Sequence, residues 1–297
     1  MSQADVTTPP AAATPTPAPG RRVRRWLERL ARLGLAAKGL VYFTVGAMAL
    51  RAAFGAGGAT TDRYGALHTI LRQPLGRVML ALVAAGLAGY TLWRFTQALS
   101  GGDDADDRGH RAGVWFTRAT RLGSGVVYGL LAAAAAQLLL REAGVGVGDL
   151  EGQWWEPEAW TAELLGQPLG RLLVGGGGVG VGLYGLWRMR RAWAASFARD
   201  LRLRHVHDSV RHWTVRLGRL GEMARAVVFL LIAGFLLAAA TRFDTRHGQG
   251  LDDALRALEQ APQGPWLLAA VSVGLIAYGL YQFVEAVYRR VRVRMGN

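Results

Sequence analysis

Six apolar runs dominate this 297-residue chain, each close to the ~20 residues that a bilayer-crossing helix needs. A soluble protein with six such runs would expose too much apolar surface to stay dispersed. The predicted spans are Gly34–Ala53, Leu75–Phe95, Leu122–Leu140, Leu169–Trp187, Ala224–Ala240 and Trp266–Val284. Much of the glycine, 40 residues in all, lies inside these runs, where it lets helix backbones approach closely. There is no Cys, which excludes disulfides, Fe–S clusters and thiolate sites.

A net charge of +14 would suit a nucleic-acid binder, but topology explains it better. The N-terminal arm with Lys38, the segments Arg94–Arg121 and Arg188–Arg225, and the C-terminal tail hold 26 of the 35 basic residues. The three alternate hairpins hold the other nine, and the middle hairpin is acidic. The positive-inside rule then puts both termini in the cytoplasm and three hairpins outside. Nucleic acid is not an expected partner; the lipid bilayer is.

The runs are also copies of one another. Arg32, Gly39 and Tyr42 fall on Arg118, Gly125 and Tyr128, then on Arg219, Ala226 and Phe229. Gln73-Pro74-Leu75-Gly76-Arg77 matches Gln167-Pro168-Leu169-Gly170-Arg171, and the third copy keeps Pro262 and Gly264. Gly86, Tyr90 and Trp93 match Gly180, Tyr184 and Trp187, then Gly274, Tyr278 and Tyr281. Each copy crosses twice, so all three point the same way. The expected fold is an all-α membrane protein of six transmembrane helices, three tandem two-helix hairpins around a pseudo-threefold axis. Residues 34–99, 117–193 and 218–297 are the repeats. Residues 1–20 read as a Pro/Ala/Thr-rich disordered tail, 21–33 as a basic amphipathic interfacial segment, 100–116 as an inner linker and 194–217 as an inner amphipathic connector.

Details of the repeat suggest roles. Pro74 and Pro168 suit the first position of a helix, and the residues before them suit a short helix at the outer surface. Tyr90, Trp93, Tyr184, Trp187, Tyr278 and Tyr281 suit an aromatic belt at the inner headgroup boundary. The glycine-rich fourth span reads as a tightly packed helix, or as one unwound at a binding site.

These motifs, with the terminal Tyr278-Gly-Leu-Tyr-Gln-Phe-Val-Glu-Ala-Val-Tyr288 stretch, resemble the bacterial membrane family called domain of unknown function 1206. The resemblance covers roughly Ala31 to Val291. It implies an integral protein of the bacterial cytoplasmic membrane and brings no activity with it. Ala226, Pro265 and Gln282 depart from the pattern where the first copy has Gly39, Arg77 and Arg94.

Ionisable groups inside a membrane mark functional sites by default. No Asp, Glu or His falls in the middle of a span, so intramembrane haem ligation and a midplane carboxylate relay are not expected. Near the inner face lie Arg32, Lys38, Arg118, Arg219, Glu222, Arg225 and Glu285. If Arg32, Arg118 and Arg219 point inward they form a basic ring for an anion or lipid headgroup. Alternatively they snorkel to phosphates. Leu203, Val206, Val210, Trp213 and Leu217 make one apolar stripe at helical spacing, a docking helix for the inner leaflet or a protein partner. No nucleophile–base pair, metal motif or phosphate loop appears, so neither an enzyme nor a cofactor is expected. Two readings remain: a structural or regulatory protein binding a partner or anionic lipid at the inner face, and a transporter or channel for a small solute such as an anion.

Overall fold

A computed structural model describes residues 19–55, 63–100, 111–145, 157–196, 201, 208–242 and 251–288. Among them the chain is helical, and one pattern is used three times: long helix, short helix, long helix. The first unit is α1 (Pro19–Ala53), α2 (Arg63–Leu71) and α3 (Gly76–Ser100). The second is α4 (Arg111–Glu142), α5 (Pro157–Leu165) and α6 (Gly170–Trp193), and the third α7 (Asp208–Arg242), α8 (Leu251–Gln260) and α9 (Gly264–Tyr288).

Five of the long helices, all but α6, contain segments long and apolar enough to cross a membrane. The exception, at 24 residues, is nearly as long as α3 and α9, but glycines at 175–178, 180, 182 and 185 dilute its hydropathy.

A backbone device starts each second helix. Leu75, Leu169 and Gln263 all adopt left-handed φ, at 63°, 70° and 62°. Each follows a proline, and the next residue's N–H donates back three residues: Gly76 to Gln73 at 2.8 Å, Gly170 to Gln167 at 2.9 Å and Gly264 to Ala261 at 2.7 Å. Proline second and a left-handed residue third are the signature of a type II turn. The prolines therefore sit inside the turn: α3 and α6 begin two residues past Pro74 and Pro168, and α9 begins at Gly264, two residues before the expected Trp266. The glycine that follows is obligatory: a Cβ there would lie 2.0, 1.8 and 1.8 Å from a carbonyl oxygen of the preceding short helix. The arginine closing the motif reaches the far end of the next unit's first helix. Arg77 pairs with Glu142 at 3.0 Å, and Arg171 donates to the carbonyls of Ala240 and Thr241. A cation there satisfies helix C-terminal carbonyls and suits the negative end of the dipole. The third unit has Pro265 instead, and there Trp266 meets Phe54 edge-on at 6.4 Å.

Each first helix packs on the preceding unit's second helix: α4 on α3, α7 on α6, and α1 on α9. The α1/α9 crossing is so close that a Cβ on Gly39 would lie 2.8 Å from the Gly279 carbonyl oxygen. Within units the packing is unequal. α1 packs on α3 and α7 on α9, but α4 and α6 make no comparable contact. Glycines record the difference. A Cβ on Gly86 would meet Ala37 at 2.8 Å, and one on Gly274 would meet Ala224 at 2.3 Å. The equivalent pair in the second unit, Gly180 and Gly123, meets nothing within 4 Å. Through these contacts the long helices follow one another in the order α4, α3, α1, α9, α7, α6, and the series stays open between α4 and α6. The helix expected as the fourth span, α6, is continuous, tight against α7 at Gly178 and Gly185 but bare at Gly176, Gly177 and Gly180.

Two segments expected to stand alone do not. The described part of the basic arm is continuous with α1, and residues 208–217 are the opening turns of α7. Nothing interrupts either helix where the amphipathic pattern gives way to the apolar run.

Substituting Ala for Gly76, Gly170 or Gly264 should lower stability by roughly 1–3 kcal/mol, as overpacking does. Gly123→Ala and Gly176→Ala should be neutral or stabilising by up to ~1 kcal/mol, because Ala is the better helix former. Thermal unfolding of the purified variants in detergent separates the two groups. Equal effects would contradict the turn and the opening alike.

Candidate functional site

The repeated aromatic residues turn inward. Each second-helix tyrosine meets the next unit's first-helix aromatic ring edge-to-face. Tyr90 meets Tyr128 at 4.9 Å, Tyr184 meets Phe229 at 5.1 Å and Tyr278 meets Tyr42 at 4.9 Å. Such pairs add roughly 0.5–1.5 kcal/mol beyond area burial. Tyr90, Trp93, Tyr278 and Tyr281 are all fully buried, so the headgroup-belt reading does not hold for them; of the six rings, Trp187 alone is well exposed. The reason is their hydroxyls and π-faces, which hold cations inside the bundle.

Among the described residues, five cations stand on the tyrosine rings. The Lys38 ammonium lies 5.4, 5.5 and 5.1 Å from the centroids of Tyr90, Tyr128 and Tyr278. The Arg225 guanidinium lies 4.4 Å from Tyr278 and 5.0 Å from Tyr42, and donates to the Tyr278 hydroxyl. Arg94 and Arg188 sit one turn past Tyr90 and Tyr184, and each donates to that hydroxyl at 2.8 Å. From the short helix α2, Arg63 reaches Tyr42 and donates to its hydroxyl at 3.1 Å. The third unit has Gln282 where the others have Arg94 and Arg188. There the hydroxyl of Tyr278 receives its donor from Arg225, one helix across. Lys38 and Arg225 occupy equivalent positions of their units, and Ser124 is the uncharged third.

The negative side is smaller. Glu222 pairs with Arg188 across the α6/α7 contact, and it lies within electrostatic reach of Arg225 and Lys38. Arg225, three residues on along α7, donates to Tyr278. Glu285 is buried within reach of Lys38. Lys38 itself is only 4% exposed, and among the described residues it makes no hydrogen bond or ion pair. The Nε of Arg188 is also buried without an acceptor. Buried donors rarely lack partners, so the Nε atoms of Arg188 and Arg63 mark places where an acceptor is missing, while the Lys38 ammonium is met by ring faces alone. Cation–π attraction, roughly 2 kcal/mol when desolvated, offsets only part of the cost of burying an ammonium.

Of the residues singled out from sequence, Lys38, Glu222, Arg225 and Glu285 are buried in this cluster. Arg32 and Arg219 are exposed, so no inward ring of Arg32, Arg118 and Arg219 exists. Arg32 precedes Lys38 by six residues, which places it well round the helix from the inward face. Arg118 is half-buried and has partners of its own. In the proposed docking stripe, Leu203 and Val206 lie outside the described residues. Val210 and Trp213 are exposed on α7, with Leu217 half-buried beside them. Arg94, Arg188 and Arg63 were missed as site residues. The first two had a signal, an arginine four residues after the repeated tyrosine.

Breaking the buried pair by Arg188→Gln or Glu222→Gln should destabilise by roughly 3–5 kcal/mol, because each leaves a lone buried charge. The double variant should recover part of that loss. A double-mutant cycle on thermal unfolding measures it, and strict additivity would contradict the pairing.

The comparisons with known proteins agree with the repeat. The family described as Domain of Unknown Function 1206 matches three segments, residues 33–101, 120–195 and 220–289. An uncharacterized protein of Bacillus subtilis strain 168, YxxB, is 30% identical over 271 residues, covering 91% of this chain and 94% of that one. No solved structure matches the chain. Triplicated in sequence, in turn geometry and in aromatic pairing, the chain belongs to the Domain of Unknown Function 1206 family.

Proposed function

We propose that this is a six-span protein of the bacterial cytoplasmic membrane that binds an anionic group, the headgroup of an anionic lipid, in the inner half of its bundle. In this reading α6 completes the set of spans, and the three units stand around a pseudo-threefold axis. Both termini are cytoplasmic. The recurrence of one turn and one aromatic pair in every unit supports the axis, and the basic-residue asymmetry supports the orientation. The protein is a binding or regulatory component rather than an enzyme.

The observation that carries the reading is the charge of the bundle interior. Lys38, Arg94, Arg188 and Arg225 face two carboxylates, Glu222 and Glu285. In a low-dielectric interior such an excess calls for a counter-anion. Inner-leaflet lipids supply negative headgroups at the right depth, and basic pockets between spanning helices suit them.

Arg63 favours a second reading, passage of a small anion. It extends the cation series from the hairpin end of the bundle toward Arg225, sharing Tyr42 with it. Against an open path, the space bounded by Tyr42, Arg63, Arg225 and Phe229 is too small for more than about a single water.

Native mass spectrometry after release from nanodiscs should find phosphatidylglycerol retained over phosphatidylcholine. Lys38→Met combined with Arg225→Gln should lower that retention at least tenfold. Equal retention of both lipids, or no effect of the double variant, would remove the lipid reading. Chloride or phosphate flux in proteoliposomes would then favour passage. For orientation, cysteines placed at Ala59 and Glu151 should react with an impermeant thiol reagent applied to intact cells from outside. Reaction only after permeabilisation would reverse the topology.

A further inference from the structure

The opening between α4 and α6 is specific to the second unit. In the first and third units the corresponding helix faces are buried against each other. In the second, Leu173, Gly176, Gly177 and Leu183 of α6 are exposed, as are Gly123 and Val127 of α4. Of these, Gly177, Leu183, Gly123 and Val127 would pack if the unit closed as its siblings do: their counterparts Val83, Gly89, Ala37 and Val41 in the first unit are buried, whereas Gly176 corresponds to the exposed Leu82 and Ala270. The short helix confirms the separation: α5 packs on α6 and makes no comparable contact with α4, whereas α2 and α8 each pack on both long helices of their own units.

The opening borders the cation cluster. Tyr128, one wall of the cage around Lys38, comes from α4. Arg188, with its unpartnered Nε, comes from α6. Rings from α3, α4 and α9 enclose the Lys38 ammonium; no described ring of α6 stands over it. Among the described residues neither α6 nor α7 contributes a ring over Lys38, and α6 is the one of the two that lies beside the opening. A cleft with an apolar, glycine-smoothed wall, and at its inner edge an Arg188 Nε without an acceptor and a Lys38 ammonium held only by ring faces, fits an amphiphile with an acidic head.

We propose that the α4–α6 cleft is a lateral doorway for an anionic phospholipid. Its phosphate accepts hydrogen bonds from Lys38 and Arg188, and an acyl chain lies along the face of α6 that carries Gly177, Gly180 and Leu183. This rests on the reading that the cluster binds an anion, and it adds where the ligand comes from. The lipid stands where the other units have a helix–helix contact, which accounts for the bare glycines on both sides. A phosphate monoester from the aqueous phase offers the same head chemistry without the chain, so the two sources differ in what a blocked cleft does to them.

The test fills the cleft without touching the charges. Gly180→Trp places its ring where a Cβ meets nothing within 4 Å, so folding should be preserved, as judged by an unchanged melting temperature. Phosphatidylglycerol retained on native mass spectrometry should fall at least tenfold in this variant, and equally in Lys38→Met. Retention lost in Lys38→Met but kept in Gly180→Trp would overturn the doorway and leave the anion site standing. Retention kept in both would overturn both. Glycerol 3-phosphate binding as tightly as phosphatidylglycerol, and surviving Gly180→Trp, would assign the site to a soluble anion. A dimer of the wild-type chain that Gly180→Trp dissociates would give the cleft to a second copy. If Gly180→Trp does not fold, Gly180→Cys labelled after purification with a bulky maleimide gives the same block, since the chain has no other cysteine.

Discussion

Burying a cation in a membrane protein is costly, and this fold is arranged around meeting that cost with aromatic rings. Lys38 and Arg225 sit at equivalent places in two units, on the inward faces of α1 and α7, and both are more than nine-tenths buried. Neither has a carboxylate of its own. Tyrosine faces and hydroxyls stand in for one, and those tyrosines are in turn fixed by edge-to-face pairs between units. Removing the rings would leave the cations in an apolar interior without compensation. Removing the cations would leave buried hydroxyls without donors. The two sets stabilise each other, in the manner of a buried polar network that is worth more than its separate pairs.

The units are alike in backbone and unlike in charge, and the differences compensate locally. Where Gln282 replaces the arginine of the tyrosine motif, Arg225 supplies the missing donor from across the α7/α9 contact. Where Pro265 replaces the motif arginine that reaches the next helix end, Trp266 and Phe54 make the contact through apolar area. Ser124, which replaces the cation in the second unit, has no such substitute. It is the unit with the least inward charge on its first helix that also stands open, and these two facts together place the asymmetry of the helix series on one side.

Much of the architecture was legible in the chain. Hydropathy and the repeat located the long helices, the short helices before each proline, and Lys38, Glu222, Arg225 and Glu285 as the ionisable groups of interest. Orientation about the helix axis was harder. A tyrosine in the inner third of a span suits a headgroup belt and a bundle core equally, and only the neighbouring helices decide; here Tyr128, Phe229 and Tyr42 do. Arg32 and Arg219 looked like ring members because they recur at equal spacing, yet recurrence fixes a shared face without saying which face. The left-handed Leu75 and Leu169 carry no sequence sign, since type II turns favour Gly at that place. The opening of the second unit ran against the repeat, which argued for three equal packings. Its one trace was the glycine run of α6, read as tight packing, and that holds only for the half of it facing α7.

The central claim is that the buried cations await an acceptor brought in from the bilayer. The most direct measurement is an electron cryo-microscopy map of the protein in nanodiscs containing phosphatidylglycerol. The account predicts headgroup density within hydrogen-bond reach of Lys38 and Arg188, with α4 and α6 apart and chain density between them. A map with α4 packed on α6 through Gly123 and Gly180, and Lys38 paired to Glu285 with no density beside it, would contradict it.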